Sequence, residues 1–171
     1  MMELIGRMLD GSIPEPTKGG GQERGRFFGF RVKQDEKIAR LAEVPLLEGC
    51  SRNQLKAVAR IAEVRVAPAG TVLTRKDHAG DEFFLILDGR ARVEVSPRKR
   101  VVLEPYAFFG EMSLLDGGPR SATVLAETAV RLLVIHRRDF ARLLSELPEL
   151  TRSIMAVLSR RIREAERTPN A

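Results

Sequence analysis

The chain has 171 residues, 43% of them hydrophobic and 30% charged, enough for one well-filled core and too few for two comfortable domains. Its formal charge of +6 is spread from Arg24 to Arg167, and the clusters Arg98-Lys99-Arg100, Arg137-Arg138 and Arg160-Arg161 fall in different elements, which reads as solvated faces and argues against a nucleic-acid surface. No apolar run approaches membrane-spanning length, the N-terminus lacks a signal-peptide pattern, and the single Cys50 excludes an intrachain disulfide, so a cytoplasmic location is expected.

Residues 1–33 read as a flexible leader, because Gly11, Pro14, Pro16 and the Gly19-Gly20-Gly21 run break any regular element. Met1 to Leu9 can form a short amphipathic turn. Phe27, Phe28 and Phe30 make an aromatic knot in a polar setting, suited to docking on the domain's own surface or to binding a partner. From Gln34 the pattern is helical, with Ile38, Leu41 and Ala42 on one side until Pro45 stops it. A second helix follows Ser51-Arg52-Asn53-Gln54, which has capping-box spacing, and its stripe is Leu55, Val58, Ala59 and Ala62.

Strand signals begin at Val64 and Val66, and Pro68-Ala69-Gly70 turns the chain into Thr71-Val72-Leu73. Phe83 to Leu87 is a solid apolar run and Asp88-Gly89 a hairpin turn. Ala91, Val93 and Val95 then alternate with Arg90, Arg92 and Glu94, predicting one buried and one wet face. Val101 to Leu103, Ala122 to Leu125 and Val130 to Ile135 complete a set of short strands, the pattern of a sandwich, jelly roll or small barrel. Helix returns at Arg137, with Phe140, Leu143 and Leu144 on one face, and Pro148 marks a break or the first turn of a last helix running to Arg167. Leu150, Ile154, Leu158 and Ile162 give that helix a narrow apolar seam, suited to packing on the strands, to a lid, or to a two-helix dimer seam.

Among the strands lies the stretch that carries chemistry, Phe108-Phe109-Gly110-Glu111-Met112-Ser113-Leu114-Leu115-Asp116-Gly117-Gly118-Pro119-Arg120-Ser121-Ala122-Thr123-Val124. Arg120 offers a planar donor fork that suits phosphate oxygens. An ionised Glu111 only accepts hydrogen bonds and so suits a sugar hydroxyl, while Gly110 lets the backbone come close to a ligand. Met112 to Leu115 can form one helical turn with free amides. The plain alternative is a surface ion pair of little worth beside an ordinary Gly117-Gly118-Pro119 turn.

This stretch resembles, without a gap, the phosphate-binding cassette of the cyclic nucleotide-binding domain family, whose members include the regulatory subunit of cAMP-dependent protein kinase, bacterial cAMP-receptor transcription factors and cyclic-nucleotide-gated channels. In the family the Glu holds the ribose 2′-hydroxyl and the Arg the cyclic phosphate, so the resemblance puts those roles on Glu111 and Arg120. It implies backbone donors at Gly110, Met112, Ser113 and Ser121, a further donor in the Ser121 hydroxyl, and Phe109 and Ala122 within the ligand-binding set. It also implies a fold that is mainly β with flanking helices: a double-stranded β-helix, or jelly-roll-like β-roll, with N-terminal helices and two C-terminal helices. The domain would occupy 34–167, followed by a tail at 168–171. Leu158, Arg161 and Ile162 are the candidate lid contacts to the base. In the family a Thr after the cassette Arg favours guanine and an Ala adenine; Ser121 lies between, with cAMP expected over cGMP.

The expected function is therefore a stand-alone cyclic nucleotide sensor that signals by moving its C-terminal helices, with no cofactor, metal or catalytic residue. The alternative is an interaction module of the same fold, its silent pocket held by a Glu111–Arg120 contact. His78 and His136, the only histidines, are too few for a cupin-type metal site, and no nucleophile, base and orienter set is visible. Expected partners are the nucleotide, a downstream protein and, through the last helix, a second copy. A DNA-binding domain after Arg167 and a membrane span are not expected.

Overall fold

The computed structural model describes residues 28–30 and 32–167, with side chains from Val32 onward. Met1 to Leu9, Phe27, the side chains of Phe28 and Phe30, and the 168–171 tail lie outside the described residues.

Two N-terminal helices, α1 (Gln34–Ala42) and α2 (Arg52–Ile61), flank a 3-10 turn at Pro45–Leu47. The capping box forms as the sequence predicts: Ser51 Oγ accepts from the Gln54 amide at 3.2 Å, and Gln54 Oε1 accepts from the Ser51 amide at 2.7 Å. At the other end of α2, Lys37 from α1 donates to the carbonyls of Ala59 and Ala62 at 3.2 and 2.7 Å, satisfying acceptors that a helix end leaves open.

The strands are β1 (Phe28–Phe30), β2 (Glu63–Ala67), β3 (Val72–Thr74), β4 (Glu82–Asp88), β5 (Ala91–Ser96), β6 (Lys99–Leu103), β7 (Phe108–Phe109), β8 (Thr123–Ala126) and β9 (Val130–His136). They form a five-stranded sheet in the order β1-β2-β9-β4-β7 and a four-stranded sheet in the order β3-β8-β5-β6, with every pairing antiparallel. A short helix α3 (Glu111–Asp116) is inserted between β7 and β8, and α4 (Arg137–Glu146) and α5 (Pro148–Arg167) close the chain. The fold is the expected helix-flanked β-roll.

The solid apolar run in β4 is explained by burial on both faces. Phe83, Leu85 and Leu87 join one core, between the larger sheet and the helices, while Phe84 and Ile86 join a second core inside the roll. Strand β9 divides the same way, Leu133 and Ile135 toward the helices and Val130, Leu132 and Val134 inward. The helix-side core takes Ile38, Leu41, Leu55 and Val58 from the N-terminal helices and Phe140, Leu143, Leu150 and Ile154 from the C-terminal ones, with the Phe83 and Phe140 rings stacked at 4.8 Å.

Three local expectations change. Phe28–Phe30, read as leader, pair with β2 as an edge strand, Phe28 opposite Val66 and Phe30 opposite Val64. Local composition does not reveal that pairing because the partner edge is remote in sequence. Val95, read as the last buried residue of an alternating strand, is 47% exposed, since the inward face of β5 runs out past the packed interior. The apolar seam of α5 is buried only at Leu150 and Ile154; Leu158 is half-buried and Ile162 is 60% exposed.

Candidate functional site

The site begins where β7 ends. Phe109 pairs with Phe84 across the β7–β4 ladder, and their rings stack at 4.9 Å inside the roll. The next residue, Gly110, has φ 85°, a left-handed conformation that turns the chain into α3 and that only glycine adopts without strain. A Cβ at Gly110 would also stand 2.8 Å from both Arg120 Nη1 and the Glu82 carbonyl, so the residue is fixed by backbone shape and by crowding.

Arg120 is 7% exposed, and its guanidinium lies over the Phe84 ring at 5.7 Å. Nη1 donates to the Gly110 carbonyl and Nη2 to the Glu82 carbonyl, both at 2.9 Å. Its main chain is held as firmly: the Arg120 amide donates to His78 O at 2.8 Å, and the Asp77 amide donates to Arg120 O at 2.9 Å. Among the described residues no carboxylate makes an ion pair with Arg120, and the Glu82 carboxylate beside it is taken by Arg65 at 2.7 Å. Burial pushes the Arg120 pKa down, the nearby charges of Glu82 and Asp81 oppose that shift, and the charge of Arg137 adds to it.

Glu111 is 3% exposed. Its Oε1 accepts from Arg161 Nη1 at 3.0 Å, while Arg161 Nη2 donates to the Phe108 carbonyl at 2.6 Å and the guanidinium lies 4.6 Å from the Phe108 ring centre. Burial raises the Glu111 pKa above the ordinary carboxyl value; Arg161, its own backbone amide and Arg120 pull the other way. The Glu111–Arg120 contact expected for a self-closed pocket is therefore not how either group is held: one is on carbonyls and the other on α5.

Of the other residues named from the sequence, Ser113 is buried within α3, Met112 is 48% exposed, Ser121 is exposed and Ala122 half-buried. Phe109 packs in the roll interior, so its ring supports the site from behind. Of the three lid candidates, Arg161 reaches the cassette, Leu158 packs against the helix-side core and Ile162 faces outward. His78 is exposed in the β3–β4 turn, and His136 has Nε2 3.4 Å from Glu63 Oε1 and Nδ1 3.8 Å from Glu82 Oε1. Among the described residues no group of His, Cys, Asp and Glu is arranged to hold a metal, and no helix is long and apolar enough to cross a membrane.

Sequence reasoning missed Gly80, which a Cβ would bring within 1.9 Å of Arg120 Nε, and Glu82, whose useful atom is a backbone oxygen. It also missed Arg137, counted as part of a solvated cluster. The one local signal was Gly80-Asp81 just ahead of the apolar β4 run, which marks a turn without saying what lies across it.

A β-roll with a helix-bearing turn inserted between β7 and β8, a buried Glu and Arg on that turn and two helices after the last strand defines the architecture. Residues 64–146 match the cyclic nucleotide-binding domain family, and the chain belongs to it. The chain is 42% identical over 114 residues to a cyclic nucleotide-gated potassium channel of Rhizobium etli, covering 67% of this chain and 32% of the channel. It is 32% identical over 127 residues to the cyclic AMP receptor protein of Thermus thermophilus, covering 71% of this chain and 59% of that protein. The crystal structure of the Thermus thermophilus catabolite activator protein aligns with a TM-score of 0.64 at 31% identity, over 71% of this chain and 60% of that one. The chain spans 32% and 30% of the lengths of the two bacterial channel relatives, one from Rhizobium etli and one from Mesorhizobium japonicum.

Proposed function

We propose that this chain is a cyclic nucleotide sensor, binding cAMP in preference to cGMP, with Arg120 on the cyclic phosphate, Glu111 on the ribose hydroxyl and α5 as the element that moves. The observation that carries the reading is the state of Arg120. A cation this buried is costly unless paired, yet its hydrogen-bond partners are two neutral carbonyls, one on each terminal nitrogen, which leaves donors of the fork over. A monoanionic cyclic phosphate is the partner whose charge and two non-bridging oxygens suit the remaining donors. The amides of Met112 and Ser113 and the Ser121 hydroxyl follow as secondary donors.

Val93 and Val101 supply a surface for the base. They are cross-strand partners and so share a face of the smaller sheet. Val93 packs against the roll interior, while Val101 is 42% exposed, so the apolar face extends beyond the packed core. The face of α5 bearing Met155 and Ile162, 62% and 60% exposed and seven residues apart, is the candidate seam for a second copy. Signalling and binding need no catalytic group, and the proposal includes none.

The test is calorimetric titration of nucleotide-stripped protein with cAMP and cGMP, wild type beside Arg120→Ala. Saturable binding that weakens by about 2 kcal/mol or more in the variant is the expected result. A second reading, the interaction module with a silent pocket, is favoured by one observation: the Glu111 carboxylate is already paired with Arg161. Absence of heat from both ligands selects that reading.

A further inference from the structure

Arg137 opens α4, yet its side chain reaches away from that helix. Nη2 donates to the Gly80 carbonyl at 2.8 Å, Nη1 donates to the Ser113 carbonyl at 3.1 Å, and Nε lies 3.3 Å from Asp81 Oδ1. Its backbone amide donates to the Asp81 carbonyl at 2.7 Å. These partners are not scattered surface groups. Gly80 is the residue against which the Arg120 side chain lies, Glu82 supplies Arg120 with a carbonyl, and Ser113 sits inside α3 two residues after Glu111. One guanidinium at the head of α4 thus fastens both the 80–82 backbone and α3.

We infer that Arg137 is a positioning residue for the phosphate site: it holds the Gly80–Glu82 backbone and α3 in the arrangement that aims Arg120, and ties that arrangement to α4. The inference rests on the reading of Arg120 as the phosphate-binding group. The ion pair with Asp81 is a minor part of it, since Asp81 is 80% exposed and exposed pairs contribute little. The two carbonyl bonds matter more, because they come from a charged donor of fixed shape and set direction as well as distance. A lysine at 137 would keep the positive charge near the site but could not span two carbonyls and a carboxylate in one plane. That difference separates positioning from a plain electrostatic field, which Arg137 also supplies to Arg120.

The experiment is calorimetric titration of the full chain with cAMP for wild type, Arg137→Lys and Arg137→Gln, each also in an Arg120→Lys background, with a thermal melt of every variant. Positioning predicts that Lys and Gln at 137 both weaken binding, by about tenfold, and that the same changes alter affinity by less than about twofold once Arg120 has lost its fork. Should Arg137→Gln fail to fold, the milder Arg137→Lys carries the same comparison. Wild-type affinity in Arg137→Lys would reduce the residue to a source of field and overturn the inference. Equal losses in both backgrounds would overturn it too, since Arg137 would then act independently of Arg120. If wild type binds and Arg120→Lys weakens it while the Arg137 variants do not, only this inference falls. If wild type binds neither cAMP nor cGMP, the phosphate-site reading falls and takes this one with it.

Discussion

Replacing Gly80 with alanine adds one carbon in a place where the side chain of Arg120 already lies. The new Cβ would stand 1.9 Å from Nε, 2.2 Å from Cζ and 2.6 Å from Cδ, whereas ordinary contact begins at 3.4 Å. The nearest guanidinium atom must therefore shift by about 1.5 Å, more than the two 2.9 Å bonds to the Gly110 and Glu82 carbonyls can absorb with both length and angle kept. Gly80 does not have the positive φ seen at Gly110, so backbone strain is not the cost; the effect is the displacement of Arg120. A misplaced fork forfeits a charge-assisted phosphate contact of about 2 kcal/mol, or about thirtyfold in Kd. The assay is calorimetric titration with cAMP alongside a thermal melt, since the displaced guanidinium can rehydrate and the roll should stay folded. A Gly80→Ala protein that binds cAMP within threefold of wild type would refute the reasoning, because the crowding would then be relieved without moving the group that matters.

Glu111→Gln tests the cost of the buried carboxylate. Burial raises the Glu111 pKa above its ordinary 4.5, so the native fold favours the protonated form; that stability is fully present below the unfolded value and is lost as pH rises through the raised native one. The melting temperature of Glu111→Gln minus that of wild type should accordingly be more positive at about pH 7 than at about pH 4.5, and a difference that shrinks as pH rises would contradict the sign. Arg161→Ala removes the link between the outer turns of α5 and the cassette, where the apolar seam is already thin, and amide hydrogen exchange in α5 beyond Ile154 should quicken in the unliganded protein; unchanged protection would show that packing alone holds those turns. Ser51→Ala removes the α2 capping box and should lower stability by about 1 kcal/mol in a urea melt while leaving cAMP affinity untouched, so a loss of affinity there would implicate the N-terminal helices in the site.

The sequence made the cassette legible because its information is local: a glycine that must turn, a carboxylate beside it and an arginine a few residues on. The order of helices and strands was legible for a similar reason, since β4 and β9 are apolar on both faces and α2 carries its cap in plain letters. What escaped depends on contacts across the fold. Arg137 meets the Gly80 carbonyl 57 residues away and Arg120 meets the Glu82 carbonyl 38 residues away, and a backbone oxygen has no signature in the residue that owns it. Strand β7 is two residues long and β1 three, too short to show a period, and each is defined by the edge it joins. Arg161 was named as a lid candidate for contact with a base, whereas its observed partners are Glu111 and the Phe108 carbonyl.

That pairing bears on which way α5 would move under the proposed function. A carboxylate has two oxygens and about four acceptor sites, and Arg161 uses Oε1. A ribose hydroxyl can then donate to Glu111 without displacing Arg161, so the ion pair and the sugar contact are compatible. Compatibility decides the sign of the coupling. If the hydroxyl and Arg161 competed for one atom, ligand would release α5; if Glu111 serves both, ligand orients the carboxylate that Arg161 already grips and favours the arrangement in which α5 stays close. The size of the shift is limited by how much better the closed arrangement holds the nucleotide, and that difference comes from the contacts α5 adds. Arg161 is the lid candidate that reaches the cassette, so the arrangement that keeps α5 close has this bond between helix and cassette to build on, and α5 moves away by giving it up.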